Sequence, residues 1–198
     1  MHLTGDLVLA SASPRRRRLL ERLGLDFTVQ PSDVSETLPP DVAPREQVAA
    51  LAARKAQDVA PARPDALTLA ADTLVAAGDD VLGKPADAEK ARAMLRRLAD
   101  TSHEVHTGLA LAHPATDRLT RLTETTRVHF GAWDAALAED YVGGGAPLDK
   151  AGAYGLQDPQ AALFVKGIEG DYYNVVGLPL YRLRRALRQS FPDLLATT

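Results

Sequence analysis

The residues best suited to chemistry here are a carboxylate following an apolar run and a small set of cations. Leu67-Thr68-Leu69-Ala70-Ala71 reads as a buried strand that delivers Asp72 and Thr73 at its C-terminal end. A carboxylate so placed serves as a metal ligand, as a general base or as the cap of a turn, and spacing leaves all three open. The second group is Ser11-Ala12-Ser13-Pro14, followed by Arg15, Arg16, Arg17 and Arg18. Ser13 suits a helix N-cap and Pro14 the first helical position. Cations in a first turn oppose the helix dipole by about 0.3–1 kcal/mol each. A bound phosphate reverses that sign, because backbone N–H and guanidinium groups converge on it. At about 100° per residue, Leu19, Leu20 and Leu23 define the inward face. Arg16 projects onto the centre of that face, Arg15 onto its flank and Arg18 nearly opposite. Arg17 and Arg18 are read as solvated, while Arg15 and Arg16 are either a basic helix start or an anion site.

Lysine is scarce. Of 23 basic residues only Lys55, Lys84, Lys90, Lys150 and Lys166 are lysines, as expected if lysine is kept where a compact ammonium matters. Lys55 falls among Val48, Leu51, Ala52 and Val59 on one helical face, so it either snorkels past the core edge or enters a cleft. Gly78 to Lys84 matches the GxxxxGK part of a P-loop, but Pro85 stands where that motif needs a hydroxyl and Asp79-Asp80 makes a poor phosphate cradle. Lys84 stays a candidate phosphate ligand. Small residues in Asp149-Lys150-Ala151-Gly152-Ala153-Tyr154-Gly155-Leu156-Gln157 would let backbone approach a ligand closely, or merely form a loop. His103 and His106 receive no metal role.

The elements that must position these groups alternate along the chain. Strands are expected near 6–10, 26–30, 67–71, 105–111, 119–130 and 163–168, the fourth half-buried by alternation. Helices are expected to run from Pro14 to Leu23 (closed by Gly24), over 45–59, after Asp87 and Asp134, and over 179–189. A Pro-rich loop occupies 31–44 and a Gly143-Gly144-Gly145 run follows the helix after Asp134. No internal repeat or linker interrupts the pattern, which is α/β with mixed strands in one domain, 1–198.

Composition narrows the function. A net charge of −3 speaks against a nucleic-acid or membrane-surface partner, and the absence of cysteine removes thiolate chemistry. Residues 1–10 lack a basic n-region, and no apolar run approaches the roughly 18 residues of a membrane span, so a cytoplasmic protein is expected.

Taken in order, Ser-x-Ser-Pro-Arg-Arg from Ser11, Leu-Ala-x-x-Lys-Ala from Leu51, Ala-Asp-Thr from Ala71 and Gly-Lys-Pro from Gly83 form a series. Asp-Lys-Ala-Gly-x-Tyr-Gly-x-Gln from Asp149 and Val-Val-Gly-Leu-Pro-Leu from Val175 complete it. The series resembles the Maf family over nearly the whole chain. The resemblance implies an elongated, curved mixed sheet flanked by helices, with two lobes around a cleft, related to the inosine triphosphate pyrophosphatases, and a homodimer. It implies a nucleoside triphosphate pyrophosphatase that uses a divalent cation, Mg2+ or Mn2+. Asp72 would be the catalytic base or a metal ligand, and Glu36 the second carboxylate, with Asp33 and Asp41 nearby. Ser13, Arg16, Lys55 and Lys84 would bind phosphate. Arg15, Thr73 and Gln157 would set specificity, and that trio matches the branch acting on dTTP and UTP. The alternatives are a 7-methyl-GTP pyrophosphatase and a non-catalytic nucleotide-binding regulator of cell division.

Overall fold

The computed structural model describes residues 2–37 and 42–196, so Asp41 lies outside the described residues. Seven strands form a mixed sheet in the order β2-β1-β3-β5-β6-β7, with β4 paired to β3. They are β1 (Leu7–Leu9), β2 (Thr28–Val29), β3 (Leu67–Ala77), β4 (Asp80–Leu82), β5 (Ser102–His113), β6 (Arg118–Phe130) and β7 (Val165–Glu169). β1 runs parallel to β2 and β3, whereas β3–β4 and β6–β7 are antiparallel. The chain divides into two compact units: 1–72 with 107–124 and 177–198, and 73–106 with 125–176.

In the first unit, α1 (Pro14–Arg22) ends as its sequence dictates. Gly24 adopts φ +67°, its N–H donates to Glu21 O and that of Leu25 to Leu20 O, a Schellman closure. α2 (Pro44–Val59) starts on a proline, with Ala43 at its N-cap. The core against it is nearly all alanine: Ala52, Ala53, Ala56, Ala60, Ala66, Ala70, Ala110 and Ala112 join Val8, Ala10 and Val59. Small side chains let a helix lie close on a sheet, and Gly108 of β5 carries this to its limit. A Cβ there would stand 2.1 Å from Val48 O and 2.7 Å from Ala49 N of α2. α7 (Leu180–Ser190) belongs to this unit, with Leu183, Ala186 and Leu187 buried and Pro179 at its N-cap.

The second unit has a different core, in which Phe130, Tyr141, Tyr154 and Phe164 pack with aliphatic residues. Asp87 caps α3 (Ala88–Leu98) by accepting from Lys90 N at 2.8 Å, and Asp134 caps α4 (Ala135–Gly143) by accepting from Leu137 N at 3.0 Å. The turn Gly78-Asp79 joins β3 to β4, and Gly78 takes φ +63°. Short helices α5 (Pro159–Ala162) and α6 (Tyr172–Val176) complete it.

Two expectations change. β3 extends to Ala77, so Asp72 and Thr73 stand in mid-strand and not at a strand end. Neighbouring strands continue to pair beyond Ala71, and the polar side chains do not interrupt a ladder made by backbone groups. β5 is buried from Val105 to His113, as an interior strand between β3 and β6 against which α2 packs at Gly108. Among the described residues, no helix is long and apolar enough to cross a membrane.

Candidate active site

The sequence places Asp72 by its period of two. Thr68, Ala70 and Asp72 share one face of β3, and Ala70 belongs to the alanine cluster that includes Ala52 and Ala56 of α2. Asp72 is therefore aimed toward α2, which carries Lys55. The Lys55 ammonium donates to Asp72 Oδ1 at 2.6 Å and to Glu36 Oε1 at 2.5 Å. Lys55 is 8% exposed and Asp72 is 7% exposed, whereas the Glu36 side chain keeps 61% of its surface in solvent. Lys55 therefore does not snorkel: it is a buried cation held between a sheltered carboxylate from the sheet and an open one from the loop before α2. Burying a charge requires partners of this kind.

Arg16 supplies a second buried cation, on the inward face of α1 with Leu19 and Leu20. Its Nε donates to Gly177 O at 2.8 Å and its Nη1 to Ser11 Oγ at 3.1 Å. Gly177 presents that carbonyl from φ +115°, a conformation that favours glycine. Burial pushes the Arg16 guanidinium below its ordinary value; the charges of Asp72 and Glu36 oppose this and that of Arg15 reinforces it. Four charged groups of the first unit thus act on one another: Arg16, Lys55, Asp72 and Glu36.

The other expected site residues divide. Ser13 stands at the N-cap of α1, but its side chain makes no capping bond; Ser11 Oγ instead accepts from Ser13 N at 3.2 Å. Arg15 is partly buried on the same helix, and Arg17 pairs with Glu21 in solvent as a one-turn ion pair at 2.8 Å. Thr73, Lys84 and Gln157 belong to the second unit. Thr73 follows Asp72 on β3 and is partly buried, while Lys84 is exposed. Gln157 Nε2 donates to Asp158 Oδ1 at 3.3 Å, and its carbonyl oxygen is buried with no hydrogen-bond partner among the described residues. An orphaned acceptor costs roughly 1–3 kcal/mol and gains from any donor brought to it.

Sequence reasoning missed several participants. Ser11 and the Gly177 carbonyl fix Arg16, and the repeated serine before the arginines was a visible signal for the first. A Lys150 cluster was missed as well. Lys150 donates to Ala146 O at 2.5 Å, lies 2.8 Å from Asp149 Oδ1 and 3.2 Å from Asp158 Oδ2, and Tyr141 donates to Asp158 at 2.8 Å. Gly155 is needed beside it, since a Cβ there would meet Gln157 Nε2 at 2.5 Å and Lys150 Cδ at 2.9 Å. His103 and His106 make hydrogen bonds of structure, to Tyr154 Oη at 2.7 Å and Thr125 Oγ1 at 2.9 Å.

Whether these residues suit a divalent ion is a question of donor chemistry. Glu36 and Asp72 each bring an oxygen to within 2.6 Å of one cationic nitrogen, so the carboxylates already converge on a positive charge. Among the described residues, no three His, Cys, Asp or Glu side chains gather as metal ligands. That set fits Mg2+, which takes one or two carboxylates and completes its shell with water and phosphate oxygens, and does not fit an all-protein cage.

Comparison with known proteins identifies the family. The family model described as "Maf-like protein" matches residues 6–190. The chain belongs to the Maf family. A Salinibacter ruber protein named dTTP/UTP pyrophosphatase is 56% identical over 195 residues, covering 98% of this chain and 96% of that one. A Pelotomaculum thermopropionicum protein of the same name is 49% identical over 184 residues, covering 93% and 96%. Among solved structures, a dITP/XTP pyrophosphatase from Mycobacterium abscessus matches with TM-score 0.45 at 13% identity, covering 97% of this chain and 100% of that chain.

Proposed function

We propose that this Maf protein hydrolyses UTP and dTTP to the nucleoside monophosphate and pyrophosphate. The observation that carries the reading is the Asp72–Lys55–Glu36 bridge, a sheltered carboxylate paired with an ammonium in a family whose similar members are named dTTP/UTP pyrophosphatases. A protein that only binds nucleotides has little use for a carboxylate beside a triphosphate.

Glu36 and Asp72 would hold a Mg2+ or Mn2+ ion, which supplies charge neutralisation to the phosphate oxygens. Asp72 accepts a proton from the water that attacks the α-phosphorus, and the bond from that phosphorus to the bridging oxygen breaks as pyrophosphate leaves. Lys55, Arg16 and the exposed Lys84 neutralise the charge that grows on the leaving group, the dominant form of assistance in phosphoryl chemistry. Ser13 offers a hydroxyl and the start of α1 to a phosphate oxygen. Arg15, Thr73 and Gln157 select the base; the orphaned Gln157 carbonyl needs an N–H donor, which the imide of uracil or thymine supplies.

The test incubates pure protein with each nucleoside triphosphate and Mg2+ and assays pyrophosphate against phosphate. The expected result is pyrophosphate, with kcat/KM highest for UTP and dTTP. Release of phosphate, or no turnover of any triphosphate, defeats the reading. A purine triphosphate or 7-methyl-GTP outrunning UTP defeats only the base assignment.

A further inference from the structure

We infer that Lys55 is a resident stand-in for the divalent cation: its ammonium occupies the carboxylate oxygens the metal needs and is released toward the phosphates when the metal arrives. The inference rests on the reading that Glu36 and Asp72 hold the metal, and three observations carry it.

The first is position. Glu36 Oε1 and Asp72 Oδ1 come from segments 36 residues apart in sequence, yet both lie within 2.6 Å of the single Lys55 nitrogen. A metal that uses these oxygens must displace that contact. The second is the manner of holding. Both hydrogen bonds of the Lys55 ammonium go to side-chain carboxylates and none to a backbone carbonyl, so among the described residues no backbone group ties it in place. The third is charge. Lys55 and Arg16 balance Asp72 and Glu36, and Arg15 adds further positive charge nearby. A divalent ion entering alone would leave this group strongly positive. An ion that arrives with a triphosphate would not, and the displaced ammonium would then have phosphate oxygens to bind. Metal and nucleotide should therefore bind with positive coupling, each raising affinity for the other by the same factor.

The experiment reads metal binding without nucleotide, so its failure leaves the pyrophosphatase reading standing. Wild-type protein and Lys55→Met, both freed of metal with a chelator, are titrated with Mn2+, and free Mn2+ is read by electron paramagnetic resonance. Lys55→Met is expected to bind one ion at least about ten-fold more tightly than wild type, because the oxygens are vacated and one positive charge is gone. The gain should disappear in Lys55→Met/Asp72→Asn. A folded Lys55→Met that binds no more tightly than wild type overturns the inference, as does a gain that survives loss of Asp72. The wild-type protein gives a second measurement that needs no variant. Acetylation of Lys55 by acetic anhydride, followed by mass spectrometry, should run several-fold faster at saturating Mg2+ than without it. An unchanged or slower rate means the ammonium is not displaced and also overturns the inference.

Discussion

Each unit of this molecule buries a lysine to the same 8% exposure between two carboxylates, and the two lysines differ in what else holds them. Lys150 has a backbone carbonyl, Ala146 O, and its partners Asp149 and Asp158 lie close in sequence. Asp158 is in turn fixed by the Tyr141 hydroxyl, whose ionisation burial and that carboxylate both oppose. Among the described residues Lys55 has no such backing, and its carboxylates arrive from a strand and a loop. The same ion pairs therefore do different work. A cation tied to the backbone is a fastener, while one tied only to side chains can be exchanged. Location alone would not have separated them, because both fall within motifs of the family.

The comparison breaks or sharpens under mutation. The largest effect is expected at Asp72: Asp72→Asn should lower kcat by about 10²–10⁴-fold, the usual worth of a general base. Nucleotide binding measured without divalent metal should be retained or tightened, since a negative charge beside the triphosphate is lost. Retention of more than a tenth of the rate, measured by pyrophosphate release, would end the base role.

Next is Lys150→Met, which strands two carboxylates around a vacated buried site. Breaking such a pair costs about 3 kcal/mol, or roughly 6–12 °C in Tm for a chain of this size. Activity per folded molecule should stay within about ten-fold of wild type, about 1.4 kcal/mol of barrier. A variant with an unchanged Tm and no activity would move Lys150 into the site and erase the contrast with Lys55.

A comparable but pH-limited effect belongs to His103 in the second unit. Burial holds its imidazole down to about 4, against an ordinary 6.5, and its Nε2 is paired with the Tyr154 hydroxyl. The unfolded chain thus takes up a proton first as pH falls. The stability this neutral imidazole contributes is complete above about pH 6.5 and is lost progressively toward pH 4, about 3 kcal/mol in total. In calorimetry, His103→Gln should flatten the fall of Tm across that window; an identical slope in both proteins would refute the assignment.

The smallest effect is expected from Gln157→Glu. An anion beside Asp158 replaces the amide nitrogen that donates to it, and UTP turnover should lose about 1–3 kcal/mol of transition-state binding, read as kcat/KM. An unchanged kcat/KM would remove Gln157 from base recognition.

Much of this was legible in the sequence because it depended on local rules. Gly24, Asp87 and Asp134 closed or opened helices where their chemistry required, and Arg16 fell on the inward face of α1 by counting alone. The partners of the charged groups were not legible. Nothing in the spacing of Glu36, Lys55 and Asp72 states that one ammonium bridges both carboxylates, because that contact is set by how α2 lies on β3. The extent of β3 was hidden for a related reason: Asp72 and Thr73 look like the end of an apolar run, yet strand pairing is made by backbone groups that side-chain polarity does not mark. Ser13 stands at the N-cap as expected, whereas the bonds that Ser11 Oγ accepts from Ser13 N and Arg16 Nη1 were not legible, because they depend on how the chain enters α1.

The missing side chain at Gly108 bears on how such a site keeps its dimensions. With Val48 O 2.1 Å from where a methyl would stand, α2 has a datum surface: its backbone rests on the strand at one fixed height. Lys55 lies seven residues further along, two helical turns, on the face that Val48 shares, so the reach of its ammonium is gauged from that contact. A single added methyl would act as a shim, tilting the helix and opening the 2.6 Å spacing to Asp72 without altering any charged residue.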